Sequence, residues 1–316
     1  MRDAPAPIAI FAFNRPGHLR RTLEALAANT LAAESAVTIY CDGPRHERDM
    51  PAIKEVLSVA NSAAGFHSCT VIRRENNWGL AKNIISGVSE QLDRNDRVIV
   101  LEDDLITSPY FLKYMNDGLT VYANDSCVAS IHGYLFPSRM TPKGDTFFLK
   151  GADCYGWATW RRSWKFFDAD ALLLYDKIKK NNDYINFNRR FSYPYMEMLM
   201  STHKGEISSW AIRWLASAWI NNMYTLYPSR SLVSNIGMDG SGTNCGKNAN
   251  HDVNMSCSPI NVEKIAVKED KIMASELIHF LEVCSGGKIQ RIKRYANYYA
   301  PFLRNWYIFF KKIFRR

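Results

Sequence analysis

The chain has 316 residues, 47% of them hydrophobic and 13% aromatic, which suits one large domain or two modest ones and excludes a disordered or fibrous protein. Its seven cysteines (41, 69, 127, 154, 245, 257 and 284) are scattered and lack CxxC spacing, which argues against a disulfide framework or a zinc site and fits a reducing cytosol. The net charge of +9 is a property of one end, because Lys288 to Arg316 holds nine Lys/Arg and no Asp or Glu. The rest is neutral, so charge gives no reason to expect a basic groove for nucleic acid in the main body.

The N-terminus reads as no signal peptide: Pro5 and Pro7 lead into an apolar run, Ile8–Phe13, that is too short and too early. No apolar run approaches the ~20 residues of a membrane span. Ile8–Phe13 reads as a strand and ends at the turn Asn14-Arg15-Pro16. A helical pattern follows through Leu19, Leu23 and Leu26. Val37–Cys41 is a strand stopped by Asp42-Gly43-Pro44. Residues 52–60 read as helix, 69–72 as strand and 80–92 as helix. Arg97–Leu101 is a strongly apolar strand that runs into Glu102-Asp103-Asp104. Residues 109–122 read as helix and 128–131 as strand. This alternation predicts an α/β fold with right-handed βαβ units and a mostly parallel, Rossmann-like sheet flanked by helices.

The second half is less regular. Residues 147–150 read as a strand. Gly156–Trp164 is rich in tryptophan, Trp210, Trp214 and Trp219 fall on one helix, and Gly237–Gly246 is a polar, glycine-rich loop. The expected organisation is a unit over 1–286, with two halves over 1–140 and 141–286, then a basic tail over 287–316.

Three predicted strand ends carry the chemistry. In open α/β sheets ligands bind beyond the carboxyl ends of the strands, and Asn14-Arg15, Asp42-Gly43 and Glu102-Asp103-Asp104 stand there. Like charges ~4 Å apart at an effective dielectric near 20 cost about 4 kcal/mol per pair. Three acids in a row therefore call for a cation, and hard oxygens suit Mn²⁺ or Mg²⁺, with a nucleotide diphosphate supplying further oxygens. The plainer reading is an exposed acidic turn, or a cap for the helix that follows. For Arg15 it is a surface salt bridge, and for Asp42 a turn aspartate.

Six stretches in order carry a family resemblance: Ala9–Pro16, Val37–Gly43, Asn77–Asn83, Leu101–Leu105, Gly156–Trp160 and Ser231–Gly237. Together they span roughly residues 8–245 and resemble the GT-A-fold glycosyltransferases, bacterial family-2-like members related to the N-acetylglucosaminyltransferase I group. The resemblance implies a metal-dependent transfer of sugar from a nucleotide donor, UDP-linked, with inversion, to a glycan or lipid-linked acceptor. The setting it implies is cell-surface polysaccharide or lipopolysaccharide synthesis. It implies donor contacts at Arg15, Asp42, Gly43, Gly79, Leu80, Asn83, Glu102 and Asp103, and a metal ligand at Asp104. Arg as a diphosphate contact and a carboxylate as acceptor from ribose or base are sound chemistry.

The sequence departs from the family twice. Relatives carry an Asp just before the residue that here is Trp210; this chain has Ser208 and Ser209, and a hydroxyl is a poor base. Glu206 is the substitute candidate, with Asp153 and Asp239 behind it. Relatives also read Gly-Thr-His where this chain has Gly242-Thr243-Asn244. Asn244 is a weaker ligand, and His251 is the alternative aid to metal binding. Trp157 and Trp210 are the candidate acceptor platforms, by the match of flat rings to sugar faces; the other tryptophans read as core.

From Ile289 apolar residues recur at Ile292, Tyr295, Tyr299, Phe302, Trp306 and Ile313, with basic residues interleaved and a break expected before Pro301. This predicts an amphipathic helix on an anionic membrane surface, and so a cytoplasmic protein peripheral to the inner face of the plasma membrane. A helix packed on the domain with a solvated basic face is the plainer reading. For the whole protein, two readings compete with the enzyme: a nucleotidyltransferase on a related sheet, and a membrane-associated sugar-binding protein that has lost its base.

Overall fold

The computed structural model describes residues 4–240 and 249–313. Its first half follows the predicted alternation: β1 (Ile8–Ala12), α1 (Pro16–Ala27), β2 (Ala36–Cys41), α2 (Met50–Asn61), β3 (Ser68–Arg73), α3 (Leu80–Arg94), β4 (Arg97–Glu102), β5 (Leu105–Thr107), α4 (Phe111–Val121) and β6 (Val128–His132). All five residues of β1 are buried, because both faces of the sheet are covered. Side chains alternate between the faces. Ile8, Ile10 and Ala12 pack with Leu19, Leu23 and Leu26 of α1. Ala9 and Phe11 pack with Ala81, Ile84 and Val88 of α3.

The second half continues with β7 (Thr146–Lys150), β8 (Trp157–Trp160), α5 (Arg161–Trp164), α6 (Ala171–Lys180), α7 (Tyr184–Phe187), α8 (Tyr195–His203), α9 (Trp210–Ile220), β9 (Tyr224–Pro228), β10 (Val233–Asn235), α10 (Lys271–Cys284) and α11 (Gly287–Ile313). The main sheet has eight strands in the order β3-β2-β1-β4-β8-β6-β9-β7.

That sheet is mixed, not mostly parallel as the alternation predicted. β8 lies antiparallel between β4 and β6, and β7 is antiparallel to β9 at the edge. The four strands from the first βαβ units are parallel throughout. The reversal comes from the tryptophan-rich segment, which inserts as a strand. Trp157 points to one face, against Trp210 and Trp214. Ala158 and Trp160 point to the other. The sheet thus runs across position 140 and joins both halves of the chain.

A two-stranded ribbon, β10 against β5, lies over the end of β4. It folds Gly237 back onto the acidic triplet. The tail forms α11, which runs on through Pro301, where the sequence predicted a break. Among the described residues no helix is long and apolar enough to cross a membrane.

Candidate functional site

The carboxyl ends of β1, β2 and β4 open into one cavity of about 430 Å³, within the range of small-ligand sites. Arg15 follows β1 and is fixed by Pro16, the first residue of α1, whose missing N–H and preset φ suit that position. Its guanidinium reaches across to β4. It pairs with Asp103 and, at 2.9 Å, with Asp104. Asp103 also accepts the Phe13 N–H at 3.3 Å. Burial opposes the charge on Arg15, but Asp103 and Asp104 outweigh it and raise its pKa above the usual value.

Glu102 differs from its neighbours, because among the described residues no cation forms an ion pair with it, and Arg15 and the Trp210 indole only partly offset the causes that raise its pKa. Burial first, then Asp104 and Asp103, push its pKa up to about 8. Asp103 is also raised, by burial first, with Arg15 pulling the other way. Two carboxylates therefore pair with one guanidinium, and the unpaired third, Glu102, is pushed furthest above the ordinary carboxylate range.

Asp104 faces Gly237, and the fit is tight. A Cβ on Gly237 would stand 2.0 Å from Asp104 Oδ2 and 3.0 Å from the Arg15 guanidinium. The Ile236 N–H donates to the Asp104 carbonyl at 2.9 Å, which fixes the approach.

Asp42 works in a way the sequence did not predict. Both carboxylate oxygens are filled from the protein. The N–H groups of Gly43 and Trp78 donate to Oδ1 at 2.9 and 2.8 Å, and the Gly79 N–H and Asn77 side-chain amide to Oδ2 at 2.9 and 3.1 Å. A carboxylate offers about four acceptor sites. Asp42 thus moors the 76–79 loop and has no acceptor site spare for a base or ribose. Gly43 permits this, since a Cβ there would meet the Asn76 backbone at 2.4 Å. Gly79, at φ +73°, starts α3. Gly79, Leu80 and Asn83 all line the cavity, and Asn83 accepts from Arg74 at 3.2 Å.

Of the three candidate bases, only Asp153 lines the cavity. It accepts from the Cys154 N–H at 2.9 Å and from the Tyr227 hydroxyl at 3.2 Å. Glu206 is exposed beyond the cavity and holds Ser201 at 2.7 Å. Asp239 is turned to His18, 3.3 Å away, and is absent from the cavity wall. Ser209, where the family resemblance led to the expectation of a carboxylate, caps α9 by accepting the Ile212 N–H, a task that serine performs as well as aspartate.

The acceptor-platform expectation fails for Trp157. It is 1% exposed and lies among Trp210, at 5.4 Å and nearly parallel, Trp164 and Trp214. No face is open. Trp210 lines the cavity but is 3% exposed, with one face stacked on Trp157. The cavity wall also carries five tyrosines, Tyr134, Tyr155, Tyr193, Tyr195 and Tyr227, beside Phe11, Phe13, Phe136 and Phe280. No periodicity in the sequence groups these tyrosines, which arrive from four separate segments. Burial, then the Asp153 charge, raises the pKa of Tyr134, Tyr195 and Tyr227. His251 belongs to the same end, against Tyr155 and Phe280, and burial lowers its pKa. Gly242, Thr243 and Asn244 lie outside the described residues.

For a divalent ion the donor set is sparse. Among the described residues no three His, Cys, Asp or Glu side chains form a metal-holding group. Asp103 is committed to Arg15 and Phe13. Asp104 lines the cavity and pairs with Arg15 through one oxygen only, so its other oxygen fits the mode in which one carboxylate holds Mg²⁺ or Mn²⁺ while substrate phosphates and water supply the rest.

No protein-family model and no curated protein matches the chain. Among solved structures, the mannosyltransferase PcManGT from Pyrobaculum calidifontis, in complex with GDP-Man and Mn²⁺, is similar at 12% identity and a TM-score of 0.30, over 42% of this chain and 36% of that one. TarS 1-349 from S. aureus, also solved in complex with UDP, is similar at 12% identity and a TM-score of 0.39, over 72% of this chain and 59% of that one. The chain thus spans less than two thirds of the length of either protein.

Proposed function

We propose that this chain is a glycosyltransferase that moves a sugar from a UDP-linked donor to a glycan or lipid-linked acceptor with inversion, in cell-surface polysaccharide or lipopolysaccharide synthesis. The reading rests on the GT-A-like motifs. One observation carries it: three strand ends, bearing Arg15, the Asp42-held loop and Glu102-Asp103-Asp104, meet in one cavity whose wall also holds Asp153 among tyrosines. The donor lies at the strand ends, between the 76–79 loop and Arg15. Asp104 would hold Mn²⁺ or Mg²⁺, which when bound neutralises charge on the departing diphosphate. Residues 1–140 contribute the donor end and 141–286 most of the acceptor end.

The chain's own residues perform the proton chemistry. The Asp153 carboxylate takes the proton of the acceptor hydroxyl, and that oxygen bonds to the anomeric carbon from the face opposite the diphosphate. The bond from the anomeric carbon to the diphosphate oxygen breaks, and its electron pair leaves with the nucleoside diphosphate. The Tyr227 hydroxyl orients Asp153. The tyrosine walls exclude water, which keeps it from replacing the acceptor hydroxyl at the anomeric carbon and so protects the donor from hydrolysis.

Melting the protein with UDP and several UDP-sugars, with and without Mn²⁺, tests the donor half. A ligand at 100 times its Kd stabilises by about 2.7 kcal/mol. Asp104→Ala should abolish the Mn²⁺-dependent part, and Asp153→Asn should keep nucleotide binding but lose transfer. If no nucleotide binds, the reading fails. A base-less sugar-binding protein is the second reading, favoured by Ser208 and Ser209 before Trp210; wild-type nucleotide release from a UDP-sugar would exclude it.

A further inference from the structure

We infer that Arg294, on the basic tail helix, positions the wall of the cavity 100 residues earlier in the chain, so that tail and cavity are mechanically joined. Three consecutive non-glycine residues, Arg189, Arg190 and Phe191, have left-handed backbones with φ of 45°, 56° and 65°. Such residues persist only where their surroundings over-determine them, and they cluster at functional sites.

The surroundings here are the tail. Arg294 donates from Nε to the Phe191 carbonyl at 2.8 Å and from its terminal nitrogen to the Ser192 carbonyl at 3.0 Å. Arg291 donates to the Arg190 carbonyl at 3.0 Å and is held by Glu282 at 2.6 Å. Ser285 binds both the Ser192 carbonyl and Arg294. Three successive carbonyls are thus capped from the α10–α11 junction. The Phe191 ring is packed against Tyr295 and Tyr298.

What emerges from this turn is cavity wall. Arg189 pairs with Glu269 at 2.8 Å and donates to the Lys150 carbonyl at 2.7 Å. Tyr193 and Tyr195, in mutual contact at 4.8 Å, follow directly, and all three line the cavity. The forked guanidinium matters, because its donors are fixed in one plane, whereas a lysine's three rotatable donors on a flexible stem are not pre-organised for two carbonyls. None of this depends on what the cavity binds.

Hydrogen exchange on the full chain tests it. The Ser192 and Tyr193 amides bond to the Arg189 and Asn188 carbonyls within the turn. In Arg294→Ala their exchange should quicken at least tenfold, while β1 and β4 exchange at the wild-type rate. Arg294→Lys should restore protection only in part. Ser285→Ala, a milder change, should give a smaller effect at the same amides, and serves if Arg294→Ala does not fold. Unchanged exchange over 190–195, or faster exchange of the whole protein in equal measure, overturns the inference. UDP melting of the same variants keeps the two proposals apart: a wild type that ignores UDP sinks the glycosyltransferase reading and leaves this one standing.

Discussion

Three carboxylates and one guanidinium meet at the end of β4, and the carboxylate with no direct ion pair to Arg15 has its pKa raised most. Arg15 satisfies Asp103 and Asp104, so the electrostatic cost of the triplet falls on Glu102. Its folded pKa, near 8, lies above the ordinary carboxylate value. Between those two values the folded state binds more protons than the unfolded one. Stability should therefore fall as pH rises through that window, by at most about 1.4 kcal/mol per pH unit. Glu102→Gln removes the titration at nearly the same side-chain volume. In metal-free urea melts at pH 5 and pH 8, the variant should gain on the wild type at the higher pH. An equal difference at both pH values would show that Glu102 titrates normally.

At the scale of elements, β1, β2 and β4 were legible because long apolar runs end abruptly at polar turns, and both causes are local. Arg15, Asp42 and the triplet sat on predicted strand ends for the same reason. β8 was not legible. Its four residues, Trp-Ala-Thr-Trp, are fully buried, and only pairing with β4 and β6, distant in sequence, makes them a strand. The tyrosine wall and the rejection of Trp157 depend likewise on long-range packing. Asp42 is the instructive middle case, since its position was readable but its partners, 35 to 37 residues on, were not. Its task of mooring the 76–79 loop makes a prediction. Asparagine replaces one acceptor oxygen with an amide that cannot accept, and faces it toward N–H donors. Asp42→Asn should cost about 1–3 kcal/mol and release the Trp78 and Gly79 amides to exchange. Protection of both amides at the wild-type level would mean that the loop holds itself.

For the whole molecule, the tail expectation divides. Nine cations were expected to face an anionic surface, but Arg291 and Arg294 are spent on the domain, and Tyr298 stacks on Tyr184 at 4.6 Å. The first turns of α11 are therefore a packed helix with part of its apolar surface left over: Ile289 and Ile292 are 69% and 66% exposed. A truncation at Gly287 would confound the test of membrane binding, because it also strips the cover from Phe191. Charge changes at the far end are cleaner. Replacing Lys311, Lys312, Arg315 and Arg316 by glutamine removes roughly 1 kcal/mol each of attraction to an anionic leaflet. Co-sedimentation with phosphatidylserine-containing vesicles at low salt should then weaken by roughly three decades, and binding of the wild type should fall as salt rises. Arg291→Gln should leave vesicle binding intact and lower thermal stability instead, since that side chain already has its partners within the protein. Vesicle binding that survives the fourfold change would leave the helix only its packing role, with its remaining basic face turned to water.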